Sequence, residues 1–178
     1  MTNQTEEELI DRLSNFDLKA LSLVYDLYSD AIYRYGYRLL GNEDLAEECV
    51  SETFKRLLES LKKGQGPKTS IHAYLYRIAH NWITDQFRRS FPTESLPEDA
   101  ASPAKSPEQT ALDNLTGQEV RKGLKNLPAS QRQALVLKYL EDMDNKEIGR
   151  VMNKRVGAVK ALQQRGLKNL KNRLKAKP

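Results

Sequence analysis

From Leu18 onward, apolar and aromatic side chains recur every three or four positions: Leu18, Leu21, Val24, Tyr25, Tyr28, Ile32 and Tyr35. That is the spacing of a helix with one buried side. Gly41-Asn42 breaks the stripe. A second one runs Leu45, Cys49, Val50, Phe54, Leu57 and Leu61, until Gly64-Gln65-Gly66-Pro67 stops it. A third, through Ile71, Tyr74, Leu75, Ile78, Trp82 and Ile83, ends at Arg88-Arg89. A short leading helix is expected at about residues 6–14. Pro92, Pro97, Pro103 and Pro107 then fall between Phe91 and Leu112, among Ser, Glu and Ala. Such a stretch neither holds a helix nor buries a face, so residues 91–112 read as a linker. Beyond it the pattern predicts helices at about 113–125, 129–141, 144–152 and 155–174. Pro128 stands near the start of the second, where its missing N–H costs little, and Asp144 or Asn145 suits the cap of the third. No alternating run is long enough for a sheet. The expected fold class is all-α: two small helical domains, 1–90 and 113–178, with no internal repeat.

Charge divides along the same line. The 178 residues carry 29 Lys/Arg against 24 Asp/Glu, but residues 113–178 hold 16 of the former and only 6 of the latter. A basic C-terminal module beside an acidic N-terminal one implies different partners, with a polyanion the natural one for the basic half. Lone Cys49 excludes an internal disulfide and a cysteine-rich zinc site. No apolar run reaches the roughly 18 residues of a membrane span, and MTNQTEEELI lacks the order of a secretory signal. The expectation is a reduced, cytoplasmic protein with no membrane insertion.

The sharpest local pattern is DNKEIGRVMNKRVGAVKALQQRGLKNL. A short helix, a break at Asn153, which tolerates the left-handed conformation, and a longer basic helix make the order of a helix-turn-helix. Stepping about 100° per residue puts Val156, Val159, Leu167, Leu170 and Leu174 on a packing side. Lys154, Ala158, Ala161, Gln164, Arg165 and Lys168 fall on the other, where small residues allow close approach and donors meet base edges and phosphates. An ordinary solvated, lysine-decorated face is the alternative.

On the second N-terminal stripe's outer side, Asp44, Glu47, Glu48, Ser51, Glu52, Lys55 and Glu59 make a mostly acidic face with Phe54 and Leu58 at its edge. Acidic faces repel DNA; this one suits a basic protein surface, or is simply solvated. The third stripe's helix offers Arg77, His80, Asn81, Gln86, Arg88 and Arg89, with Lys62, Lys63 and Lys68 just before it. Donors beside aromatics suit exposed single-stranded bases, although Tyr74 and Trp82 fall on the apolar stripe and read as core. Enzyme signals are absent. In GQGPKTS, Pro67 separates Gly66 from Lys68 and no strand precedes, so it is no P-loop. His72 and His80 lack metal-pair spacing. No catalysis and no cofactor are expected.

Together these segments resemble the extracytoplasmic-function sigma factors of bacteria, the compact two-domain RNA polymerase specificity subunits. DLAEECVSETFKRLLES is similar to the family's polymerase-binding helix through Asp44, Ala46, Glu47, Glu48, Val50, Glu52 and Phe54, with Cys49 and Ser51 departing from the usual Leu and Gln. AYLYRIAHNWITDQFRR resembles its minus-ten segment through Leu75, Tyr76, Arg77, Ile78, Ala79, Asn81, Asp85, Arg88 and Arg89; Tyr74 replaces Trp and His80 replaces Arg. The family loop that captures an unstacked base maps to about Gly64–Ser70 and is poorly matched. LPASQRQALVLKYLEDMDNKEIGRVMNKRVGAVKALQQRGL is similar to its minus-thirty-five reader, with Arg155 where Ser or Thr commonly caps and Asn153 for the turn Gly.

The resemblance implies a factor that binds core RNA polymerase and directs promoter recognition, DNA opening and transcription initiation. Asp44, Glu47, Glu48, Ser51, Glu52, Phe54 and Lys55 would bind polymerase. Lys62, Lys63, Lys68, Arg77, His80, Asn81, Gln86, Arg88 and Arg89 would engage the minus-ten element. Lys154, Arg155, Ala158, Lys160, Ala161, Gln164, Arg165 and Lys168 would read minus-thirty-five. It also implies an anti-sigma protein as a further partner. The competing reading is a helix-turn-helix repressor or activator that binds duplex DNA without joining polymerase; it leaves the acidic helix unused.

Overall fold

A computed structural model describes residues 5–90 and 117–175, which fall into two compact units divided between Asp85 and Gln86. Among the described residues all regular structure is helical. The expected linker, 91–112, lies outside the described residues, as do 113–116, which the sequence pattern assigned to the first C-terminal helix.

In the first unit, α1 (Glu6–Ser14) opens on a capping box between Thr5 and Glu8. Asp17 caps α2 (Leu18–Leu40), accepting the Lys19 N–H at 2.9 Å, and Arg12 Nε lies 2.7 Å from the same carboxylate. That hydrogen bond holds the Asp17 carboxyl below its ordinary range. Gly41 closes α2 in the left-handed conformation, and Asn42 caps α3 (Glu43–Lys62) through the Leu45 N–H. After a loop, α4 runs Ile71–Ser90, so the division between the units falls within it, after Asp85. The three stripes meet in a core built on Val24, Ile32, Tyr35, Leu57, Ile71, Leu75, Tyr76 and Ile83. Each such side chain contributes about 1.5–3 kcal/mol relative to exposure. Two residues of the first stripe do not join: Leu18 is 75% and Tyr25 49% exposed. Leu18 is the first residue of its helix, and Tyr25 lies against Phe54 at the flank of α3, with ring centroids 4.8 Å apart.

Cys49 is fully buried between α2 and α3, and burial pushes its thiol up to about 12. At pH 8 it is a neutral, covered thiol rather than a nucleophile. Iodoacetamide at that pH is expected to leave the native protein unmodified and to label Cys49 once urea unfolds it. Labelling without denaturant would mean that the α2–α3 interface opens readily.

The second unit holds α5 (Gly117–Lys125), α6 (Ala129–Leu135), α7 (Asn145–Met152) and α8 (Val156–Lys175) around Leu124, Ala134, Leu137, Met143, Ile148, Val159 and Leu170. The helix expected over 129–141 is not continuous. From Val136 to Leu140 it widens into a π-helical turn, which the Glu141 N–H closes on the Val136 carbonyl at 3.0 Å. Ala134 through Leu137 are buried on consecutive positions, while Tyr139 and Leu140 turn outward.

Candidate functional site

Three surfaces were expected from the sequence, and each is carried by a separate helix. On α3, Asp44, Glu47, Glu48, Ser51 and Lys55 are exposed, with Leu58 beside them. Glu52 sits at the edge, half-buried, and its carboxylate lies 3.6 Å from both Lys55 Nζ and Arg56 Nε. Its charge is therefore partly offset within the helix. Phe54 is half-buried, yet its contact with exposed Tyr25 leaves an aromatic ledge along the acidic face. Tyr33 lies at the other end of the same surface. Its phenol is raised by desolvation and then by Glu43, Glu47 and Asp44, and its ring stacks on Tyr37 at 6.3 Å. These α2 tyrosines were assigned no role from sequence. Tyr25 counted as an ordinary stripe residue, and only the pairing of α2 with α3 reveals that it borders the acidic face.

On α4, Arg77, Asn81 and Arg88 are exposed and share one side of the helix; Arg89 is exposed further round. Lys62, Lys63 and Lys68 are exposed in and before the preceding loop. His80 departs from the expectation. It is 7% exposed, one of the buried polar side chains, because it lies about 60° round the helix from Arg77, on the flank that faces the core. Its ring is not on the surface that presents Arg77 and Asn81. Gln86, nine residues after Arg77, falls on the opposite side of the helix and is half-buried.

In the second unit, α7 and α8 form a tight helical corner. Asp144 caps α7 in a capping box with Glu147, and Asn153 ends it in the left-handed conformation, φ 54° and ψ 49°. The Lys154 N–H then donates to the Gly149 carbonyl at 2.9 Å. From this corner α8 projects Ala158, Ala161, Arg165 and Lys168 along one line, with Gln164 beside them. Ala158 and Lys168 are exposed; Ala161, Gln164 and Arg165 are half-buried. Arg155 and Lys160 are exposed at the margins, and Lys154 is half-buried. Val156, expected on the packing side, is 36% exposed. It is the first residue of α8, ahead of Val159, which makes the interior contact.

Two buried polar contacts that seat α8 escaped the sequence reading. Gln163 Nε2 donates to Asn145 Oδ1 at 2.8 Å, linking the longer helix to the first turn of α7, and Asn169 Nδ2 donates to Gln131 Oε1 at 2.8 Å on α6. The signal was present: Gln163 sits four residues after Val159 and four before Leu167, on the apolar stripe itself. The Arg of the LPASQR segment also gains a local explanation. Arg132 Nη2 donates to the carbonyls of Lys125 and Leu127, at 2.9 and 3.1 Å, closing the end of α5.

The acidic, aromatic face suits a basic protein surface. The corner with its small-residue and cationic line suits duplex DNA, where close approach and phosphate neutralisation are both needed. Comparison with known proteins finds family matches in both halves of the chain. The sigma-70 region 2 family matches residues 24–90, and the sigma-70 region 4 family matches 117–170. Between them they take in more than half of the chain. The extracytoplasmic-function RNA polymerase sigma factor BldN of Streptomyces coelicolor is 33% identical over 167 residues, 92% of this chain. SigE of Mycolicibacterium smegmatis, another sigma factor of this kind, is 36% identical over 83% of it. The chain spans only 63% and 58% of those two relatives' own lengths. In fold, it is similar to the sigma factor RpoE of Bartonella quintana, solved in complex with the anti-sigma factor NepR. The TM-score is 0.65 and the identity 20%, over 90% of this chain and all of that one.

Proposed function

The chain belongs to the extracytoplasmic-function sigma factors, and from that premise we propose that it joins core RNA polymerase as its promoter-specificity subunit and starts transcription. One observation carries this reading: the chain presents two exposed surfaces of opposite character on separate units, an acidic aromatic face on α3 and a cationic small-residue face on α8. A DNA-binding regulator needs only the second. A factor that must hold polymerase and promoter at once needs both.

In this division of labour, residues 1–90 bind polymerase through Asp44, Glu47, Glu48, Ser51 and Lys55, with Phe54 and Tyr25 as the apolar ledge. The exposed donors Arg77, Asn81, Arg88 and Arg89, together with Lys62, Lys63 and Lys68, engage the opened minus-ten strand. Residues 113–178 set α8 into the major groove at minus-thirty-five, and 91–112 link the two. As a linker, those 22 residues reach about 73 Å at roughly 3.3 Å each, about two turns of DNA at roughly 34 Å per turn. Opening the duplex needs no catalytic residue, because binding the unstacked bases offsets the cost of exposing them. The protein works by binding rather than by catalysis, in the cytoplasm, where polymerase and promoter are. Among the described residues no helix is long and apolar enough to cross a membrane. Family membership also supports an anti-sigma partner that competes for the polymerase-binding surface.

Native gel migration with bacterial core polymerase, with and without duplex DNA, tests the reading. A stable complex with core polymerase alone is expected. Duplex binding without any polymerase complex would make the chain a repressor or activator and remove the α3 face from its working surfaces.

A further inference from the structure

The loop from Lys63 to Ser70, which carries part of the proposed minus-ten surface, is fixed by backbone bonds at its entry and by the side chains of Tyr74 and Glu6 further along. At its entry, the Gln65 N–H donates to the Ser60 carbonyl at 2.8 Å and the Gly64 N–H to the Leu61 carbonyl at 3.1 Å, with Gly64 at φ 68°. This paired close of a helix needs the left-handed glycine. Pro67 is buried beneath the loop. In its middle, the Tyr74 hydroxyl donates to the Gln65 carbonyl at 2.9 Å. At its exit, Ser70 Oγ accepts the Ala73 N–H at 3.2 Å, and Glu6 Oε1 accepts the N–H of Ile71, the first residue of α4, at 2.9 Å. Glu6 comes from α1, 65 residues earlier in the chain. Its carboxylate also helps raise the phenol of Tyr28 on α2, after burial. What the loop leaves outward is Lys63, Gln65, Lys68 and Thr69, all exposed.

We propose that Glu6 and Tyr74 are positioning residues for minus-ten recognition. They hold the loop in one shape, so that its outward donors meet the opened strand without first having to be ordered. This rests on the promoter-recognition reading above. Glu6 is an anion and repels phosphate, and the hydroxyl hydrogen of Tyr74 is already committed to Gln65. Any loss of strand binding on replacing either residue therefore passes through the loop. A loop ordered beforehand does not lose its freedom at the moment of binding, which is the general source of affinity from preorganisation. The segment's poor match to the family pattern fits this account. The loop is shaped by a tyrosine where the family has Trp and by a contact from α1 that no local motif encodes.

The test uses the complex with core polymerase. As probe it takes the tightest oligonucleotide that the wild-type complex selects from a random single-stranded DNA library. Tyr74→Phe and Glu6→Ala should each weaken probe binding about 2- to 10-fold, the worth of one hydrogen bond, with core affinity unchanged. Because neither residue touches phosphate, the dependence of affinity on salt should keep its slope. Lys68→Ala should instead make that slope shallower by about 0.7. Glu6→Gln keeps an oxygen acceptor for the Ile71 N–H and should bind like wild type. Wild-type affinity in both Tyr74→Phe and Glu6→Ala would overturn the proposal. So would equal losses of core and probe binding, which would reduce the two residues to general supports of the fold. Selection of no single-stranded sequence by the wild-type complex would overturn the promoter reading itself, and the positioning role with it.

Discussion

Gly149→Ala is expected to destabilise the second unit by about 1–3 kcal/mol and to cost duplex binding tenfold or more, whereas Gly157→Ala, one helix later, is expected to stabilise it. Both glycines lie inside helices, where alanine normally gains about 0.5–1 kcal/mol. They differ in what a methyl group would meet. At Gly149 a Cβ would stand 2.7 Å from the Lys154 carbonyl oxygen, a backbone atom fixed by the turn. The same residue's N–H already donates to the Gly149 carbonyl, so the chain folds back directly over that α-carbon. Overpacking against backbone cannot be relieved by a rotamer change, and costs of about 1–3 kcal/mol are usual. The corner must open, and α8 tilts with it. Losing even one bidentate base contact is worth about 1–3 kcal/mol. At Gly157 nothing lies within 4 Å of the added methyl, so only the propensity gain remains. Thermal unfolding and duplex titration of the two variants check the contrast. Equal behaviour would mean that the corner adapts freely and that Gly149 is only a helix residue.

The corner also shows how far the sequence was legible. Its helix lengths, the left-handed Asn153 and a cap at Asp144 or Asn145 follow from rules local to a few residues, and the structure has all three, with Asp144 as the cap. The core stripes on α2, α3 and α4 were legible for the same reason, since a helix repeats its buried side every three or four residues. What escaped depends on contacts between distant residues. Nothing near Glu6 announces that it caps α4, and Tyr25 looks like any stripe residue until α3 lies beside it. His80 is a donor by type, but its angle, about 60° round α4 from Arg77, turns it toward the core. The π-helical turn at Val136–Leu140 has no local signature in an apolar run that fits an ordinary helix equally well. Gln163 was read past because polar residues are expected outside; with Asn145 as its partner, burial costs it little.

The structure also decides which acids on α3 make the sharpest test. Glu52 is the obvious choice from the motif, but Lys55 and Arg56 already share its charge at 3.6 Å. Glu43 and Asp44 occupy the first turn, where they also favour the helix through its dipole. Glu47 and Glu48 are exposed and lie beyond that turn, and among the described residues no ion pair offsets them. The double change Glu47→Lys with Glu48→Lys therefore reverses the face at little cost to α3. Like charges brought together across an interface cost several kcal/mol, so affinity for core polymerase should fall by a factor on the order of 100 or more. Glu47→Gln with Glu48→Gln, which removes charge without reversing it, should fall less. The gap between the two pairs should shrink as salt rises, because exposed charges are screened over about 10 Å at 0.1 M. Duplex binding, which is proposed for α8, should not change in any of them. If the lysine pair bound core polymerase normally, the acidic face would be merely solvated. The aromatic ledge of Tyr25 and Phe54 would then be the first place to look for the contact.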